Sequence, residues 1–146
     1  KGTEMILLIG ANLGYEASVV SKLVDTVVAI EENIDMKNKA ETNLKKVNSE
    51  NVLLLSSKHR LGHKKLAPYD LIIILEPQSF IEDPLLEQLA EGGKLFYCEK
   101  QNVNINEGKL NIYYKEGKRY IKRQLYDLNI PSIKEKKLYK NEFNFC

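Results

Sequence analysis

The stretch Met5–Glu32, MILLIGANLGYEASVVSKLVDTVVAIEE, decides the reading of this chain. It runs strand, glycine-containing turn, helix, strand, acid. Ile6–Ile9 is a short unbroken apolar run, the pattern of a strand buried on both faces of a parallel sheet. Gly10 and Gly14 bracket the following turn, where backbone must pass close to a ligand and then to a helix. Thr26–Ile30 is a second apolar strand, and Glu31 closes it. There a carboxylate can accept hydrogen bonds from two ribose hydroxyls. The order is the local signature of a nucleotide-type cofactor site in an α/β sheet. Asn12 takes the middle position of the glycine triplet. Two plainer alternatives stay open. The glycines can mark only a tight turn, and Glu31 can be an ordinary strand-end acid.

The first strand spans Met5–Ile9 and a helix covers Tyr15–Val24, with Ala17, Val20, Leu23 and Val24 as its apolar stripe. Thr26–Glu31 is rich in β-branched residues. A second helix spans Ile34–Val47, with Met36, Ala40, Leu44 and Val47 at helical spacing. Val52–Leu55 is the third strand, residues 56–67 are polar and irregular, and Tyr69–Leu75 is a fourth, fully buried strand. Asp70, at its start, reads first as a residue capping that strand. Asp83-Pro84 opens a helix with Leu85, Leu86 and Leu89 on its apolar face, and Gly92-Gly93 ends it. Lys94–Cys98 is the fifth strand. Lys109–Tyr114 and Arg119–Tyr126 alternate around KEGK, a hairpin signal. The tail 129–146 is Lys-rich, and its final FNF can add a short strand. The expected architecture is a mainly parallel sheet with helices on both faces and an antiparallel pair at the end.

The chain has 146 residues, enough for one domain with a single core, and 1–146 reads as one domain. With 43% hydrophobic and 29% charged residues it is globular rather than disordered. A net charge of +2 is too small to argue for nucleic acid or membrane surfaces. Its Lys-rich stretches are interleaved with acids and read as solvated faces. No apolar run approaches a membrane span, and no signal peptide is visible. Cys98 and Cys146 give no disulfide framework, so the expected setting is reducing and cytoplasmic. His59 and His63 stand four apart, but no glutamate of an HEXXH pattern lies between them. They read as solvent-exposed rather than as metal ligands. The chain opens at Lys1, almost directly on a core strand. The expectation is a fragment, a processed chain, or a chain with a further N-terminal region.

Five parallel strands followed by an antiparallel hairpin distinguish S-adenosylmethionine-dependent methyltransferases from dinucleotide oxidoreductases. The ordered blocks ILLIGANLGY, VVAIEEN, ENVLLL, APYDLIII and LLEQLAEGGKLFY resemble the protein-L-isoaspartate O-methyltransferase family. Gly14-Tyr15, Ala67-Pro68-Tyr69-Asp70 and Leu85–Leu89 running into Gly92-Gly93-Lys94-Leu95 weigh most. The tail LYDLNIPSI…NEFNF is similar to the end of some bacterial members. The resemblance runs from Ile6 to Phe145.

The resemblance implies a Rossmann-like methyltransferase fold with S-adenosylmethionine as cofactor. It implies methyl transfer to the α-carboxylate of L-isoaspartyl residues in damaged peptides or proteins. A monomer that binds neither nucleic acid nor membrane is expected. It places backbone at Gly10, Ala11, Asn12 and Gly14 against the methionine part of the cofactor, and Glu31 on the ribose diol. Glu32 and Asp35 stand close enough to share that work. Ser57 and Lys58 fall at the adenine turn, where the family usually carries Gly-Asp. Residues 75–77 line the reaction cleft. Three positions depart from the pattern. Leu8 stands where an acid is typical, Asn12 where a glycine is, and Lys58 cannot accept a hydrogen bond from the adenine amino group. Asn is the non-glycine residue that best tolerates positive φ, so Asn12 can keep the turn. The family's N-terminal serine-containing segment, which helps hold substrate, is not in this sequence. Methyl transfer to a carboxylate rests on proximity and orientation, so no catalytic residue is expected to stand out. Two alternatives remain at this point: a non-catalytic binding protein on the same fold, and, disfavoured by the hairpin end, a nicotinamide-dependent oxidoreductase.

Overall fold

Seven strands form one mixed sheet in the computed structural model, which describes residues 4–100 and 107–129. They are β1 (Met5–Ile9), β2 (Thr26–Glu31), β3 (Val52–Ser56), β4 (Tyr69–Gln78), β5 (Leu89–Lys100), β6 (Glu107–Glu116) and β7 (Arg119–Asn129). Their spatial order is β3-β2-β1-β4-β5-β6-β7. The first five pair in parallel, and β5, β6 and β7 pair antiparallel. The mainly parallel sheet with an antiparallel end is therefore present. The tail's expected FNF strand lies outside the described residues.

The connections explain where a site can form. The chain steps from β1 to β2 through α1 (Tyr15–Ser21) and from β2 to β3 through α2 (Ile34–Lys46). It then returns past β1 to β4 through two short 3₁₀ turns, His59–Leu61 and Lys64–Leu66, and reaches β5 through the single turn α3 (Asp83–Leu86). Crossovers keep one hand, so reversing direction moves the connection to the other face. Leu8, Val27 and Ala29 pack under α1 and α2 with Ala17 and Leu44. Leu7, Ile9, Val28, Ile30, Ile72 and Ile74 face the other way, toward Leu85, Leu86 and Leu89. Alternate residues of β1 and β2 thus enter opposite cores, which is why those strands are continuously apolar. The reversal falls between β1 and β4, and a crevice opens there at the carboxyl ends of the strands.

Two elements differ from expectation. Helix α1 stops at Ser21 instead of reaching Val24. Its buried residues are Ala17 and Ser21, while Leu23 is 71% exposed. The early end is held from a distance. Asn51 Nδ2 donates to the carbonyls of Ser21 (2.7 Å), Val24 (3.0 Å) and Asp25 (3.3 Å), satisfying acceptors that an ended helix leaves free. Second, Gly92-Gly93 does not stop a helix: α3 ends at Leu86, and both glycines lie inside β5. The β4–β5 register jumps from Tyr69↔Leu89 to Leu71↔Lys94, so residues 90–93 bulge. A Cβ at Gly93 would meet the Ala90 carbonyl oxygen at 2.7 Å, so only glycine fits. The bulge clasps the hairpin, with Glu91 accepting the Gly117 N–H at 2.8 Å.

Asn51→Ala should lower unfolding free energy by about 1–3 kcal/mol, because it leaves part-buried carbonyls without donors. Urea denaturation of the two proteins measures the difference, and an unchanged midpoint would remove Asn51 as the tie between α1 and β3.

Candidate functional site

The site begins with the turn after β1. Gly10, Asn12 and Gly14 all have positive φ, at 90°, 48° and 87°. Asn12 takes the left-handed conformation that its residue type tolerates. Gly10 N and Ala11 N both donate to the Ile30 carbonyl, at 3.1 and 3.0 Å, folding the turn over the end of β2. A Cβ at Gly14 would lie 3.2 Å from the Ala40 carbonyl oxygen, so the turn packs directly on the backbone of α2. The turn aims the Asn12 N–H at Glu31 Oε1, 2.8 Å away.

Glu31 is 3% exposed. A carboxylate that deep needs donors. The second oxygen, Oε2, accepts the Asn33 N–H at 3.0 Å. Asn33 also caps α2, its Oδ1 accepting from the Met36 N–H at 3.0 Å. Asp35 sits in the first turn of α2, where its charge favours the helix N-terminus.

The third partner of Glu31 is His59. His59 is buried, not solvent-exposed. Its Nε2 lies 3.3 Å from Glu31 Oε2, and its Nδ1 lies 3.2 Å from Glu76 Oε2. Its backbone N–H donates to Glu32 Oε2 at 3.0 Å, and the Glu32 N–H points at Nε2 from 3.3 Å. Burial pulls the basicity of this imidazole down. The Glu76 hydrogen bond and the charges of Glu76, Glu31 and Glu32 outweigh it and hold the pKa above its ordinary 6.5. Among the described residues, no group of His, Cys, Asp and Glu has the geometry to hold a metal ion.

The other expected residues take lesser positions. Ser57 Oγ donates to the Gly62 carbonyl at 2.7 Å and braces the loop. Lys58 is exposed just before the 3₁₀ turn that carries His59. His63 does not share a helix face with His59, because Gly62, at φ 59°, separates their two turns. Gln88 holds this loop from beneath, donating to Leu61 O and accepting from His63 N. Tyr69, whose phenol burial pushes up to about 12, donates to the His63 carbonyl at 2.6 Å. Asp70 accepts the Met5 N–H at 2.9 Å and ties the starts of β1 and β4 together.

Glu76 lies within residues 75–77, which the resemblance sets at the cleft as a loop, but these residues belong to β4 and the contact of Glu76 with His59 was not expected. Its signal is the one used for Glu31, an acid ending an unbroken apolar run. Its Cγ would lie 3.6 Å from a Cβ on Gly10, so it reaches across the β1–β4 reversal. Beyond His59 lies a cleft of about 270 Å³, lined by Ile9, His59, Arg60, Ile74, Phe80 and Ile81, among others. Arg60 pairs with Glu82 at 3.6 Å, and Phe80 is 68% exposed. The arrangement is thus a backbone turn beside a buried carboxylate, with an apolar-floored cleft alongside that carries a cation. It can bind and orient a polar ligand, and no nucleophile–base pair is assembled among the site residues described here.

Comparison with known proteins gives the family and the fold. The family model for protein-L-isoaspartate(D-aspartate) O-methyltransferase (PCMT) matches residues 1–134. A protein-L-isoaspartate O-methyltransferase 1 of Syntrophobacter fumaroxidans is 38% identical over 95 residues, covering 65% of this chain and 44% of the relative. One of Methanococcus aeolicus is 35% identical over 119 residues, covering 72% and 55%. The chain thus spans about half the length of these relatives. A solved protein-L-isoaspartate O-methyltransferase superposes with a TM-score of 0.80 at 21% identity, over 90% of this chain and 43% of that one. A Plasmodium falciparum structure described as a beta-aspartate methyltransferase (PCMT), in complex with S-adenosyl-L-homocysteine, gives 0.70 at 21%, over 91% and 66%. At that identity the two structures speak for the fold, a methyltransferase sheet with an antiparallel end. The match over residues 1–134 settles the kinship: this chain belongs to the protein-L-isoaspartate O-methyltransferase family.

Proposed function

We propose that this chain supplies the cofactor-binding and reaction-cleft part of a protein-L-isoaspartate O-methyltransferase, which esterifies the α-carboxylate of L-isoaspartyl residues in damaged proteins. The observation that carries the reading is the Asn12 N–H on Glu31 Oε1 at 2.8 Å. It joins a glycine-type turn to a strand-end acid at the sheet's reversal, in a chain of this family.

The residues present suit S-adenosylmethionine in kind and place. The turn offers backbone rather than side chains beside the crevice, and Glu31 stands at the end of β2. The fit is incomplete at one atom, Glu31 Oε2, which His59 covers. When bound, the cofactor supplies an activated methyl group. The protein's part is to bind, orient and exclude water. Gly10, Ala11, Asn12 and Gly14 present backbone to the amino-acid end. Glu31 and Glu32 accept from hydroxyls. Ser57 and Lys58 border the base, where Lys58 offers a charge but no acceptor. A carboxylate substrate is already nucleophilic at neutral pH, so positioning does most of what catalysis requires. In the cleft, Arg60 is the permanent cation that can hold such a carboxylate once it exchanges Glu82 for substrate.

The family reading also carries protein repair in the cytoplasm. Among the described residues, no helix is long and apolar enough to cross a membrane. The second reading, a non-catalytic binding protein, draws on the covered Oε2 atom and on Leu8, Asn12 and Lys58.

Calorimetric titration with S-adenosylhomocysteine should show saturable binding in the micromolar range, and no heat with millimolar ligand from about pH 6 to about pH 9, from this chain and from its His59→Gln variant alike, would remove the cofactor reading. Glu31→Ala should weaken that binding at least about tenfold and destabilise the fold by about 1–3 kcal/mol, because the Asn12 and Asn33 N–H groups lose their acceptor. Unchanged affinity in a folded Glu31→Ala protein would mean that the ribose lies elsewhere. With an isoaspartyl peptide and labelled methyl donor, Arg60→Gln should raise KM roughly tenfold with little change in kcat, as expected for one charge-assisted contact.

A further inference from the structure

Glu31 has a competitor for any ligand that it is meant to hold. We propose that His59 is an internal ligand of the Glu31 carboxylate that closes the nucleotide pocket, and that a ribose-bearing ligand binds by taking its place. The inference rests on the reading of Glu31 as the diol-binding acid.

The His59 ring lies between the ends of β2 and β4, with Nε2 3.3 Å from Glu31 Oε2 and Nδ1 3.2 Å from Glu76 Oε2. It therefore spans the crevice at the sheet's reversal, between the glycine turn and the 270 Å³ cleft. The ring is held in place through its own backbone, by the His59 N–H on Glu32 Oε2.

The contact with Glu31 also depends on one proton. As an imidazolium, the ring donates from Nε2 to Glu31 and from Nδ1 to Glu76. As a neutral ring protonated at Nδ1, it keeps Glu76. Its Nε2 lone pair then turns to the Glu32 N–H, also 3.3 Å away, and faces Glu31 Oε2 without a hydrogen between them. The neutral ring leaves Glu31 Oε2 with the Asn33 N–H and a free lone pair, which is what a hydroxyl donor needs.

The groups facing the ring favour the closed form near neutrality. Glu31 approaches from the end of β2, Glu32 from the residue after it and Glu76 from β4. On its own segment, Lys58 is exposed and Arg60 is turned to Glu82 at the entry to α3. Three carboxylates therefore surround one imidazole and raise its basicity above the ordinary 6.5, against the pull of burial. With a raised pKa, the stabilisation from the closed contact is complete below 6.5 and is lost as pH rises through the raised value. A ligand that displaces the imidazolium releases its proton. Affinity must then rise with pH across that window, by up to about tenfold per pH unit, and level off above it.

Calorimetry with S-adenosylhomocysteine from about pH 6 to about pH 9, on the whole chain and its His59→Gln variant, tests this. The unaltered protein should bind more tightly as pH rises. His59→Gln should bind with little pH dependence, and more tightly than the unaltered protein at the acid end. Glu76→Gln, which keeps the histidine, should move the rise to lower pH. Ring nitrogen resonances of His59 should titrate at lower pH once ligand is added. Binding that rises equally with pH in both proteins, or that His59→Gln weakens at every pH, overturns the inference and leaves the cofactor reading standing. Binding by His59→Gln alone supports it, and binding by neither protein overturns both.

Discussion

A carboxylate at 3% exposure is the constraint around which the carboxyl edge of this sheet is arranged. A side chain so deep needs hydrogen-bond donors, and the two backbone donors of Glu31 come from different parts of the chain. Asn12 belongs to the turn between β1 and α1, and Asn33 to the entry of α2. One side chain thereby fixes where both helices start relative to the sheet. The left-handed backbone at Asn12 is part of the same arrangement, since it forms the turn whose N–H meets Oε1. The hydrogen bonds of the site are in this sense also hydrogen bonds of the fold.

Topology then decides what stands opposite. The return from β3 to β4 passes over the α3 side of the sheet and delivers a basic loop, Lys58 to Lys65, to the crevice. Gly62, Ser57 and Gln88 give that loop a defined path instead of a solvated one. Lys58 stays outward, Arg60 turns to Glu82 at the cleft, and His59 alone is carried in among Glu31, Glu32 and Glu76. A loop that looks like surface by composition thus buries one residue in the site and lines the cleft with another.

What could be read from the sequence was what rests on local periodicity. The unbroken apolar runs of β1, β2 and β4, the glycine spacing and the strand-end Glu31 all depend on neighbours within a few positions, and they stand where expected. The errors have distant partners. Leu23 fits the helical stripe of α1, yet the helix stops before it because Asn51 supplies donors from thirty residues away. Gly92-Gly93 is a good local helix stop, but α3 is already over, and pairing of β5 with β4 uses the glycines for a bulge. His59 and His63 suggest a helix face through their spacing, and one positive φ at Gly62 cancels it. The acids that surround His59 lie 27 or more residues before it or 17 after it, and no local pattern connects them.

The sheet also implies an order of assembly. Strands β6 and β7 are separated by two residues and pair with each other along their length, so their ends meet at little entropic cost. The β1–β4 pairing joins Ile6 to Leu71, and α1, β2, α2 and β3 all lie inside the loop that it closes. Contacts of that sequence separation are slow to form. The crevice, with its glycine turn, Glu31 and Glu76, exists only after this closure. The antiparallel end can thus be native while this crevice is still unmade, and an opening between β1 and β4 would undo the crevice without unravelling the rest of the sheet.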